Sequence, residues 1–132
     1  MGRALAKLRA VPDAIIASPA SRAKQTAAAA AQAMGWGGTI RLERALYDAG
    51  GDAWLAALRA MTGTHGSALV VAHSPGIAEA AALLCGSLPD AFDVPTAGLI
   101  ALDADLARWR DLDHGGASLR WFLRPKLVEQ LS

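Results

Sequence analysis

Two segments of this 132-residue chain repeat one arrangement: a short apolar run ends in Ser-Pro and passes into a helical pattern, first at Ser18 and Pro19, then at Ser74 and Pro75. Each junction carries one group suited to an anion, Arg22 in the first and His73 in the second. A serine that caps free amides, followed by a proline where no amide hydrogen is needed, predicts a helix start. Both junctions are therefore expected to be strand-to-helix turns. Helix N-termini present unpaired N–H groups and a partial positive charge, so two at one edge of a parallel sheet create a place for phosphate. Arginine adds a planar fork of donors, and histidine a group that holds or moves a proton near neutral pH. The site candidates are Arg22 and His73 as catalytic groups, with Ser74 joining them in holding phosphate.

The elements that must position these groups follow from apolar patterning. Residues 14–17 and 68–72 are short apolar runs, the second bounded by Ser67 and His73 and expected to be an interior strand covered on both faces. An alanine-rich helix is predicted over 20–34, ending at Gly35, and another over 75–84. Residues 39–42 and 99–102 read as further strands. Trp54, Leu58 and Met61 recur at helical spacing, giving a helix from residue 52 whose large side chains belong to the core. Leu119, Trp121 and Leu123 alternate with Ser118, Arg120 and Phe122 as in a half-buried strand, preceded by a turn at 113–116. The opening decapeptide places Met1, Leu5 and Leu8 on one helical side. Strands alternating with helices predict an α/β domain of three layers, a mostly parallel central sheet flanked by helices, with an antiparallel pair near the C-terminus.

Size and composition narrow the function classes. One domain is expected over 1–132, with 53% apolar residues to fill its core. A net charge of +1, without a basic run or aromatic-basic interleaving, argues against nucleic acid as a partner. The stretch before Pro12 lacks the apolar core of a secretory signal, and no apolar run reaches membrane-spanning length. The expectation is a cytoplasmic protein with no membrane partner. The lone Cys85 forms no intrachain disulfide and is expected to be a small buried residue at a helix end. His65 and His114 lie in loop and turn sequence, expected to face solvent, with no zinc-like spacing, so no metal and no cofactor is expected.

SPASRAKQT (18–26), followed by VVAHSPG (70–76), resembles the second and third sequence blocks of the histidine phosphatase superfamily. The nearest resemblance within it is to bacterial phosphohistidine phosphatases of the SixA type, supported by LYDAGGD (46–52), PTAGLIALD (95–103) and RWFLRPKLV (120–128). The resemblance implies a phosphoglycerate mutase-like fold and a pocket in which a nucleophilic histidine attacks phosphorus. It matches Arg22 to a phosphate-clamping arginine and His73 to the second histidine, and the substrate to a phosphorylated protein or small phosphorylated molecule. It also implies an opening strand ending in Arg-His-Gly, which supplies the nucleophile. No such tripeptide stands in the 132 residues. The expectation is a domain that is N-terminally incomplete, missing its first inner strand, so that the strand at 68–72 borders a defect. Glu43 and Asp48 are expected to be solvated loop carboxylates rather than proton donors.

Two other readings compete. A degenerate domain that keeps Arg22 and His73 would bind a phosphorylated partner without turnover. AHSPG (72–76) also resembles the nucleophile elbow of α/β-hydrolases, with Ser74 attacking and His114 as base. Pro75 opposes that, because the residue after the elbow serine must donate its amide hydrogen to the oxyanion.

Overall fold

The computed structural model describes residues 3, 5, 11–47, 50–61, 66–72, 76–88, 91–95 and 99–131. Five strands are present among them: β1 (Ala14–Ala17), β2 (Arg41–Leu42), β3 (Ala68–Val71), β4 (Leu99–Asp103) and β5 (Ser118–Leu123). The helices are α1 (Ser21–Met34), α2 (Gly51–Arg59), α3 (Gly76–Leu84) and α4 (Pro125–Leu131), with short 3-10 turns at Arg44–Leu46 and Trp109–Asp111. The expected helix over the opening decapeptide lies largely outside the described residues.

β1 is the centre of a three-stranded parallel sheet of order β2-β1-β3. Its register with β3 pairs Ala14 with Ala68, Ile15 with Leu69, Ile16 with Val70 and Ala17 with Val71. Alternate side chains then point to opposite faces. Ile15, Ala17, Leu69 and Val71 meet Ala23, Ala27 and Ala31 of α1 on one face. On the other, Ala14, Ile16, Ala68 and Val70 meet Trp54, Leu55 and Leu58 of α2 and Ala80 and Leu84 of α3. Helix, sheet and helix pair make the three expected layers.

The first crossover runs from β1 through α1 to β2, and the second returns from β2 through α2 to β3 on the far side of β1. Two crossovers in opposite directions carry their helices to opposite faces, as right-handed connections require. Asp13 secures the amino-terminal edge, its Oδ2 accepting the amides of Gly66 at 2.8 Å and Ser67 at 3.1 Å. Gly35 closes α1 at φ 67°, with the Trp36 amide donating to the Ala31 carbonyl at 2.9 Å and the Gly35 amide to that of Gln32 at 3.1 Å. Glycine reaches this left-handed conformation without a Cβ clash, which is why the alanine run stops there. The indole N–H of Trp36 then donates to the Pro12 carbonyl at 3.0 Å, tying the exit of α1 to the entrance of β1.

Three expectations need correction. The strand over 68–72, expected to be interior from its composition and to border a defect from the resemblance, has β1 as its one strand neighbour among the described residues, and Ala68, Leu69 and Val70 are only half-buried. An all-apolar run satisfies one covered edge as well as two, so composition does not separate these cases. The strand over 39–42 contracts to Arg41–Leu42, since only these residues pair with Ile16 and Ala17. β4 and β5 form a separate antiparallel ribbon, and burial along β5 changes lengthwise rather than by alternation. A register shift at Ala101/Leu102 inserts Arg120 between the Trp121 and Leu119 pairings, which breaks the period of two. The half nearer α4 is covered, where Phe122 meets Phe92 edge-on at 6.3 Å and Arg124 lies 5.4 Å over the Phe122 ring.

Gly51 opens α2 where it crosses α3, and a Cβ there would stand 2.5 Å from Leu83 Cδ1 and 3.3 Å from the Ala80 amide nitrogen. Leu83 can turn aside, but the backbone of α3 cannot. Gly51→Ala is expected to destabilise the fold by about 1–2 kcal/mol through overpacking, read as a lowered urea midpoint at unchanged slope.

Candidate functional site at the carboxyl edge of the sheet

β1 and β3 run side by side in one direction, so the segments that follow Ala17 and Val71 leave the same edge. The segment after β1 turns to the α1 face, whereas α3, which follows β3 in the chain, packs on the opposite face. Open α/β sheets bind ligands outside the carboxyl ends of neighbouring strands whose helices diverge in this way, which makes this edge the candidate site. The ladder continues one step beyond both strands, because the Ser18 amide donates to the Val71 carbonyl at 2.9 Å.

Arg22 stands exposed in the first turn of α1, the helix that follows β1. Among the described residues no carboxylate pairs with its guanidinium, which leaves the fork of donors available to an anion. The helix opens without a side-chain cap: Ala20 occupies the N-cap position and the first helical bond runs from the Lys24 amide to the Ala20 carbonyl at 3.0 Å. Ser18 therefore does not cap α1 as expected. Its Oγ accepts the Ala20 amide at 3.3 Å, one step ahead of the helix, because Ser18, Pro19 and Ala20 are used to turn the chain out of β1. His73 and Ser74, with Pro75, lie outside the described residues, as does Asp48.

Glu43 is partly exposed, as expected for a loop carboxylate, and also has local partners. Its amide extends β2 along β1 by donating to the Ala17 carbonyl at 2.8 Å. Its carboxylate pairs with Arg41 at 3.0 Å and accepts the Ala45 amide at 3.4 Å, capping the following 3-10 turn. Each of its oxygens thus has a partner in the local structure. His114 is half-exposed, as expected for its turn, yet its Nε2 meets Asp52 Oδ1 at 3.0 Å. The two line an open cleft of about 470 Å³ with Gly50, Gly51, Glu79 and Leu83. No local pattern joins positions 62 residues apart, so nothing in the sequence signalled this pair. It also sets His114 beside an aspartate that precedes Ser74 in the chain, contrary to the Ser, Asp, His order of an α/β-hydrolase.

No protein-family model and no curated protein matches this sequence. Solved structures do. A protein from Nakamurella multipartitia assigned as the phosphohistidine phosphatase SixA superposes with a TM-score of 0.75 at 24% identity, over 94% of this chain and 79% of that one. The protein histidine phosphatase SixA complexed with tungstate gives 0.78 at 21% identity, over 96% and 78%. A protein from Agrobacterium tumefaciens, also assigned as SixA, gives 0.68 at 28% identity, over 94% and 75%. The chain thus has the α/β fold of SixA proteins, in the phosphoglycerate mutase-like class, across nearly all of its length.

Cys85 follows α3 directly and is half-buried. Burial raises its thiol above the ordinary cysteine range, which lowers the thiolate fraction at any given pH. Alkylation of Cys85 by iodoacetamide at pH 8 is expected to be slower than that of free cysteine by about threefold or more; a faster rate would contradict the burial described.

Proposed function

We propose, from the fold shared with SixA proteins of the histidine phosphatase superfamily, that this chain carries the phosphate site of a phosphatase acting on phosphohistidine in a protein. The observation that supports this most is the β1 to β3 junction, where parallel register, diverging helices and the exposed Arg22 coincide at one edge. Arg22 would grip two phosphate oxygens and neutralise charge that spreads over them as the P–N bond breaks. His73, two residues beyond β3, would donate a hydrogen bond to the same oxygens, and Ser74 would add a further donor. Phosphoramidates leave with little acid assistance, which agrees with Glu43 being engaged in local structure.

In this reading the phosphoryl group passes through a phosphohistidine on the enzyme. Arg22 cannot attack, because it stays protonated. None of His65, His73 and His114 stands in an Arg-His-Gly context, and His73 is assigned beside the phosphate rather than in line behind it. A second reading, a domain that binds a phosphorylated partner without turnover, would use the same Arg22 and His73.

Tungstate titration and phosphate release from a phosphohistidine protein test both. The 132-residue chain is expected to bind tungstate, with Arg22→Ala and His73→Ala each weakening binding by about tenfold or more, and to release little phosphate. Adding an upstream strand that ends in Arg-His-Gly is expected to produce turnover under the phosphatase reading and none under the binding reading. Robust turnover of the unextended chain, with phosphate trapped on His73, would make His73 the nucleophile.

A further inference from the structure

Ser18 is the one polar residue in the described core, only 2% exposed. A polar side chain survives such burial only when its hydrogen bonding is met, and here the bonds lead in two directions. Its backbone N–H donates to the Val71 carbonyl at 2.9 Å, the last described link between β1 and the end of β3. Its hydroxyl oxygen accepts the Ala20 N–H at 3.3 Å. Ala20 is in turn the N-cap of α1, its carbonyl receiving the Lys24 amide at 3.0 Å. A continuous path thus runs from the end of β3 through Ser18 to the first turn of α1, where Arg22 stands. Among the described residues no side chain caps that turn directly.

We infer that Ser18 is a positioning residue: its buried hydroxyl sets where α1 begins relative to the end of β3, and so fixes the place of Arg22 relative to that strand end. This rests on the phosphate-site reading for its purpose, but the placement itself is independent of any ligand. Alanine at 18 would keep the backbone bond to Val71 and lose the bond to Ala20. The strand end would stay in place while the start of the helix drifted. Threonine would keep the hydroxyl on the same backbone.

The test pairs amide exchange with tungstate titration in wild type, Ser18→Ala, Ser18→Thr and Arg22→Ala. In Ser18→Ala, protection at Ala20 and Lys24 is expected to fall about tenfold while that at Glu43, on the same sheet edge, holds. Tungstate affinity is expected to fall by about tenfold as well, as loss of a positioning contact does, and Ser18→Thr is expected to recover most of both. Wild-type affinity in Ser18→Ala would overturn the inference, as would protection lost equally at Glu43 and Ala27, which marks general loosening. If Arg22→Ala binds tungstate like wild type, the phosphate-site reading fails instead, and exchange at Ala20 and Lys24 alone upholds or overturns the role of Ser18.

Discussion

Parallel pairing of β1 with β3 is the constraint on which the other layers depend. Its register is pinned at both ends, by the Asp13 carboxylate gripping the amides ahead of β3 and by the Ser18 amide reaching the carbonyl at its end. A slip of one residue would exchange the faces of Ile15 and Ile16. Both residues are isoleucine and both are buried, 1% and 2% exposed, so this pair by itself does not tell the two registers apart. The two polar clamps therefore select a register that the isoleucine pair leaves open.

The two faces of the sheet are built from unlike materials. α1 presents only alanines at its buried positions, each with a single methyl, so the helix and sheet approach closely with little interdigitation. The opposite face uses Trp54, Leu55, Leu58, Met61 and Leu84, and here two helices and the loop residue Leu112 share the covering. Dispersion and apolar burial are concentrated on that side. The α1 side contributes less energy but tighter backbone placement, and it is the side from which Arg22 reaches the carboxyl edge.

Features set by neighbours in sequence were legible in the chain; features set by distant neighbours were not. The apolar run ending at Ala17, the alanine helix ending at Gly35 and the stripe of Trp54, Leu58 and Met61 all emerge from local chemistry, and the structure has them. The edge position of β3 depends on which strand comes beside it, and a run such as ALVV is the same in either setting. The helix over Ser21–Met34 starts where the pattern put it, but Ser18 does not cap it, because its amide bond to Val71 draws the serine into the sheet. The roles of Glu43 and His114 likewise depend on Arg41 and Asp52, partners that no periodicity selects. At the site, Arg22 and the two strand ends have defined places, while His73 and Ser74 remain assignments from sequence pattern and resemblance.

The alanine stripe of α1 has one more consequence, an entropic one. Ala23, Ala27 and Ala31 have no rotamers to lose, so docking the helix costs backbone order but almost no side-chain freedom, and the docked surface has no alternative packing to sample. Arg22, one residue before that stripe, then rides on a base that does not rearrange when its guanidinium is engaged. The ordering penalty for gripping an anion falls on the arginine side chain itself, about 2 kcal/mol at most, and none of it is spread into the core beneath.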